Sequence, residues 1–102
     1  MKYVYLIQSL ENSYYKIGIS KNPKKRLLQL QTGNASKLQL IDTYQSEYAN
    51  KIEKTLQRRY SHLRREGEWF DMGISNEVSF PKECQRIEET IVLLKKNGNV
   101  FI

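Results

Sequence analysis

The sequence predicts a small α+β domain of layered α/β type. A three-stranded, mainly antiparallel sheet is flanked by helices in the order ββαβαα. Three observations predict it. Two apolar runs near the start, Tyr3-Val4-Tyr5-Leu6-Ile7 and Tyr14-Tyr15-Lys16-Ile17-Gly18-Ile19, are separated by the polar break Ser9-Leu10-Glu11-Asn12-Ser13. Later stretches carry apolar residues at helical spacing, and Asn22-Pro23, Gly33, Gly67 and Gly98 divide one stretch from the next.

The first two runs read as a hairpin. In the first strand Tyr3, Tyr5 and Ile7 share one face, and Val4 and Leu6 the other. In the second, Tyr15, Ile17 and Ile19 alternate with Tyr14, Lys16 and Gly18. Asn22 can cap a first helix and Pro23 suits its first position, so a helix is expected to about Gln31, with Leu27 and Leu30 inward and Thr32-Gly33-Asn34 ending it. Leu38 to Tyr44 reads as a third strand, with Leu38, Leu40 and Tyr44 on one side and Ile41 on the other. Ile52, Leu56, Tyr60 and Leu63 predict a second helix from about Glu47 to Arg65, stopped by Gly67. Glu68-Trp69-Phe70-Asp71 is a short aromatic segment, extended or turn-like. Phe80, Cys84, Ile87, Ile91 and Leu94 predict a last helix over about 81–96, ended by Gly98. Val4, Leu6, Leu27, Leu30, Leu40, Ile52, Leu56, Tyr60, Ile87 and Ile91 are expected in one core.

At 102 residues the chain is expected to be a single domain, 1–102, with a small core. Seventeen Lys and Arg against eleven Asp and Glu give a net charge of +6. Such a charge suits a polyanion, most simply nucleic acid, and equally serves solubility. The one cysteine, Cys84, cannot form an internal disulfide and suits a reducing interior. No apolar run approaches the roughly 18 residues of a membrane span, and the start opens directly on a strand pattern with no signal peptide. The expectation is an intracellular, cytoplasmic protein with no membrane partner and no small organic cofactor.

Few residues invite chemistry. There is no CxxC pair, no second histidine beside His62, no Gly-rich phosphate loop and no hydrolase serine motif, which argues against zinc-type sites. Glu53 stands among Lys51, Lys54, Arg58 and Arg59 and borders the buried stripe. A carboxylate there is a candidate ligand for a hard cation, or one side of an ordinary helix salt bridge. Arg26 lies one turn into the first helix among Lys21, Lys24 and Lys25. Its guanidinium could hold a phosphate bidentately, or the group could be a solvated basic face.

Taken together, the residues resemble the GIY-YIG nuclease superfamily. The resemblance rests on Tyr3-Val4-Tyr5-Leu6-Ile7, Tyr15-Lys16-Ile17-Gly18-Ile19-Ser20, Arg26-Leu27, Gln29-Leu30-Gln31-Thr32-Gly33-Asn34, Ile52-Glu53-Lys54 and Gly67-Glu68-Trp69-Phe70. It covers about residues 2–72 and is closest to a branch of phage and bacterial open reading frames, so a phage-encoded chain would act in host cytoplasm. Residues 73–102 fall outside it. The resemblance implies that Tyr5 lies at the attacking water, Lys16 stands where the second half-motif has tyrosine, and Gly18 leaves the approach to phosphate open. It further implies that Arg26 stabilises the phosphate's extra charge and that Glu53 binds one divalent metal, Mg²⁺ or Mn²⁺. Tyr15 is displaced to the opposite strand face. The asparagine common in better-studied members has no counterpart, and Glu68-Trp69-Phe70 stands in its region.

The implied activity is metal-dependent endonucleolytic hydrolysis of DNA phosphodiesters, with Tyr5, Lys16, Arg26 and Glu53 converging on one basic surface. Lys21, Lys24, Lys25, Arg58 and Arg59 would contact the nucleic acid. Lysine's reference pKa of about 10.4 leaves about 0.04% of such a side chain neutral at pH 7. Lys16 is therefore read as a cation that holds phosphate or positions water. The alternatives are a non-catalytic nucleic-acid-binding module on the same fold, and a basic protein-interaction domain.

Overall fold

The computed structural model describes residues 1–98, so the last four residues of the expected domain lie outside the described residues. The apolar N-terminal runs form β1 (Lys2–Ser9) and β2 (Tyr15–Ser20), paired antiparallel with Tyr5 opposite Gly18, Leu6 opposite Ile17 and Ile7 opposite Lys16. The hairpin loop closes through Ser9 N–H donating to the Tyr14 carbonyl, while Asn12 Oδ1 accepts from Tyr14 N–H. Helix α1 (Pro23–Thr32) starts as its sequence predicts, with Asn22 Oδ1 accepting from Lys25 N–H at 3.2 Å and Pro23 in the first turn.

β3 (Leu38–Ser46) pairs antiparallel with β1 on the edge away from β2. Its facing differs from the expectation. Leu6 is opposite Asp42 and Ile7 is opposite Leu40, so Ile41 is an extra residue and the strand bulges there. The bulge reverses the alternation. Leu38 and Leu40 face α1, whereas Tyr44 joins Ile41 on the other face.

The sheet has four strands, not three, in the spatial order β3-β1-β2-β4, and the element order is ββαβαβα. β4 is only Trp69–Phe70, paired antiparallel with Lys16 and Tyr15. It exists because α2 (Ala49–Arg59) ends earlier than its spacing suggests. After a 3₁₀ turn at Ser61–Leu63, residues 63–65 pair back onto residues 69–71. Arg65 N–H donates to the Trp69 carbonyl, and Asp71 N–H to the Leu63 carbonyl. These bonds take groups that a longer helix would have used. Gly67, at φ 64°, turns this ribbon instead of terminating a helix.

The last helix, α3 (Gly73–Lys96), starts eight residues before Pro81. A proline inside a helix costs about 3 kcal/mol. The segment ahead of it is held by tertiary contacts. Phe80 is buried, and the Tyr15 hydroxyl donates to Glu77 at 2.6 Å. Further along, Glu88 accepts from the Tyr44 hydroxyl at 2.7 Å and from the Ser46 hydroxyl, which ties α3 to β3.

Both faces of the sheet are covered, so the expected single core is two. Val4, Leu6, Tyr15 and Ile17 pack under α2 and α3 against Ile52, Leu56, Tyr60, Phe70, Phe80, Ile87 and Ile91. Tyr5, Ile7 and Leu38 pack on the opposite face against Leu27 and Leu30 of α1, with Leu40 and Trp69 beside them, half-buried. The reason lies in β1, whose two faces are both apolar. Among the described residues no helix is long and apolar enough to cross a membrane.

Candidate functional site

β4 covers β2 only at Tyr15 and Lys16, which leaves the rest of that edge to α2. The Gln57 side-chain amide donates to the Ile17 carbonyl at 3.0 Å and fastens α2 there. Glu53 lies one turn earlier on the same helix face.

Tyr5 comes from β1 and is almost wholly buried, and its ring crosses the backbone of Gly18. A Cβ at position 18 would stand 2.3 Å from the Tyr5 hydroxyl oxygen and 2.4 Å from Cζ. The glycine is therefore required by the tyrosine ring itself, before any approach of phosphate. Among the described residues the Tyr5 hydroxyl has no hydrogen-bond partner.

Lys16 lies on the same face as Gly18, two residues earlier. Its ammonium donates to Glu68 Oε2 at 2.5 Å and lies 5.9 Å from the centre of the Trp69 ring. The lysine side chain is 12% exposed and the glutamate 68%, so the pair sits at the mouth of the site. Lys16 holds the Glu68 carboxyl below the ordinary carboxylate range, by hydrogen bond and by charge, and Arg64 and Arg26 pull the same way. Arg26 is exposed on α1, with Gln29 Oε1 within 3.4 Å of its guanidinium.

Glu53 is half-buried, and this desolvation pushes its carboxyl above the ordinary value. Glu68 pushes it further up, while Lys54, Lys16 and Lys2 pull it down. Glu68 is thus the common neighbour of the group. It pairs with Lys16, feels Arg26 and acts on Glu53. Sequence reasoning gave Glu68 no role. The visible signal was a lone carboxylate in a Gly-Glu-Trp-Phe segment, but the pairing of β4 with β2 that brings it to Lys16 is non-local.

Among the described residues no three His, Cys, Asp or Glu side chains cluster as a metal-holding set. Burial first, and then the charge of Glu68, raises the Glu53 carboxyl, an effect that a bound hard cation would relieve.

The other expected contacts divide. Lys21, Lys24 and Lys25 are exposed around the start of α1, on the side of Arg26. Arg58 is exposed on α2 and lines a cleft with Lys54, Gln57 and Arg64. Arg59 turns to α3 and pairs with Glu83, which Arg86 also contacts at 3.1 Å. It is not brought to the group around Glu68.

The profile of one protein family, the T5orf172 domain, matches residues 2–92. This extends past the expected limit near residue 72 and takes in most of α3. No curated protein and no solved structure gives a significant match.

Proposed function

The chain belongs to the T5orf172 domain family, and from that membership and the geometry around Glu68 we propose that it is a metal-dependent DNA endonuclease of GIY-YIG type. The family points to a phage-type nuclease-like or DNA-binding module. One observation carries the finer reading. Lys16 of β2 pairs with Glu68 before β4, the Glu68 carboxyl feels Arg26 of α1 and acts on Glu53 of α2, and Tyr5 of β1 crosses Gly18 on the strand face that also carries Lys16.

In this reading Arg26 binds the phosphate's non-bridging oxygens and stabilises the charge they gain in the transition state. Lys16, already ion-paired, acts as a cation that meets phosphate, not as a base. The free Tyr5 hydroxyl positions water in line with the phosphorus. Glu53, with Glu68 beside it, would hold Mg²⁺ or Mn²⁺. Such an ion, when bound, supplies Lewis-acid charge at the phosphoryl oxygens. Lys21, Lys24, Lys25 and Arg58 contribute sequence-independent attraction to the DNA backbone.

The second reading, a non-cleaving DNA-binding module, is favoured by the ion pair of Lys16 with Glu68, which neutralises one of the site's cations. Incubation with supercoiled plasmid and with single-stranded DNA, in Mg²⁺, Mn²⁺ or chelator, separates the two. The nuclease reading expects cleavage with metal and none with chelator. It also expects that Glu53→Ala abolishes cleavage while DNA binding is retained, since no cation is removed. DNA binding without cutting under every metal supports the second reading. Unchanged cleavage by Glu53→Ala overturns the mechanism.

A further inference from the structure

A second pocket, of about 390 Å³, opens on the α1 side of the sheet beside Lys16. It lies where the β1–β2 loop, the chain after α1 and the turn before β4 converge. A hydrogen bond between the Ser9 and Ser36 hydroxyls, 2.7 Å long, joins the first two. Its aromatic walls are Tyr14 and Trp69, both half-buried, so part of each ring is open to the pocket. Asn12, Asn34, Glu11, Glu66 and Gly67 complete the lining with the two serines.

The charge here is the reverse of the rest of the molecule. In a chain of net charge +6 this pocket has two carboxylates in its lining and no lysine or arginine. It is therefore unsuited to a phosphate. The polar groups that remain free are those that read a flat, neutral heterocycle. Asn12 and Asn34 use their carbonyl oxygens on the backbone N–H groups of Tyr14 and Ser36, which leaves their amide N–H donors. The Glu66 carboxylate has no partner among the described residues and is an acceptor. Position adds to this. Tyr14 is two residues before Lys16, about 7 Å along the chain, and Trp69 is the cross-strand partner of Lys16.

We propose that this pocket takes an unpaired nucleobase of the strand whose phosphate lies at Lys16 and Arg26, stacked on Tyr14 and Trp69. The substrate is then single-stranded DNA, or DNA with an unpaired nucleotide beside the cleaved bond. The inference rests on the nuclease reading above and narrows its substrate. Stacking on aromatic side chains tolerates any base, and the amide and carboxylate groups add an edge preference.

Trp69 is the only tryptophan, so its fluorescence reports the pocket directly. The full chain, in chelator to prevent cleavage, is titrated with a single-stranded oligodeoxynucleotide, with its blunt duplex, and with a strand of the same length made of abasic sites. The base-bearing single strand should quench Trp69, and the duplex and abasic strand should bind without quenching. Tyr14→Leu should weaken the base-bearing strand by about five- to hundredfold and leave the abasic strand unchanged. Glu66→Gln, at an exposed position, should alter the preference among bases, each affinity being taken relative to that of the abasic strand, which corrects for the carboxylate's charge.

Equal quenching by the abasic strand overturns the proposal. So does single-strand affinity that Tyr14→Leu leaves unchanged. If that variant does not fold, the wild-type comparison of base-bearing and abasic strands decides alone. Metal-dependent cleavage with no quenching by any strand overturns the base pocket and leaves the nuclease reading standing. Failure to bind any DNA overturns both.

Discussion

The Tyr5 ring crosses Gly18 so closely that a Cβ there would stand 2.3 Å from the phenolic oxygen. The two residues are cross-strand partners, and the ring limits what position 18 can hold. Gly18→Ala should therefore destabilise the fold by ~1–3 kcal/mol through overpacking and, on the nuclease reading, reduce cleavage by moving the tyrosine. The loss should largely vanish in the Tyr5→Leu background, where the ring is absent. A double-mutant cycle by urea denaturation measures the coupling. Additive effects would show that the ring does not constrain position 18.

Much of this arrangement was legible in the sequence because it depends on local alternation. The β1–β2 hairpin, the Asn22-Pro23 helix start and the placing of Lys16 with Gly18 follow from strand period and capping chemistry. What was not legible depends on partners distant in the chain. A two-residue strand has no periodicity, so β4 is defined only by its pairing with Tyr15 and Lys16, and Glu68 could not be assigned to the site without it. The bulge at Ile41 likewise has no local marker, and it moves Tyr44 to the face where Glu88 receives its hydroxyl. Pro81 misled for the same reason. Its place inside α3 depends on Glu77 and Phe80 being held by the sheet and core.

The Lys16–Glu68 pair makes a separate prediction. Glu68 is largely exposed, so the pair should add little to stability, within about 1 kcal/mol. Glu68→Gln should leave the unfolding midpoint nearly unchanged. On the proposed reading it should weaken the binding of Mn²⁺, followed by electron paramagnetic resonance of the free ion, because it removes one of the two carboxylates proposed to hold it. A large drop in stability with intact metal binding would make Glu68 a structural residue.

Arg58 and Arg59 are neighbours with different expected behaviour. Among the described residues Arg58 has no ion-pair partner on the cleft it shares with Lys54 and Arg64, whereas Arg59 is paired with Glu83. Arg58→Ala should lower DNA affinity for any sequence and reduce the log–log salt slope by about 0.9 on duplex. Arg59→Ala should change the slope much less. Filter binding or anisotropy at several salt concentrations measures both, and equal slopes would place Arg59 on the DNA as well.

Cys84 has no exposed surface, and burial, helped by the nearby charges of Asp42, Glu83 and Glu88, pushes its thiol up to about 12. A thiol reacts as thiolate, so Cys84 should resist an aromatic disulfide reagent at neutral pH in the folded chain and react promptly in denaturant. Its labelling rate then follows opening of the core under α2 and α3. Rapid labelling of the native protein, with its circular dichroism unchanged, would place Cys84 outside that core.

Alkaline pH acts on the ties between α3 and the sheet. Desolvation first, then the hydrogen bond and charge of Glu88, push the Tyr44 phenol up to about 12, and desolvation with Glu77 raises Tyr15 as well. The sign follows from linkage. A phenol whose proton is held more tightly in the folded chain contributes fully below its unfolded value of about 10, and that contribution is lost as pH rises from there through the folded value. Stability should thus be flat in this respect near neutrality and fall above about pH 10. Tyr44→Phe should lower stability at neutral pH by ~1.5–3 kcal/mol, the range for a hydrogen bond to a charged group, and make the alkaline fall shallower. Urea midpoints measured across the alkaline range test this. A fall of the same steepness in Tyr44→Phe and Tyr15→Phe would mean that these two phenols do not hold α3 to the sheet.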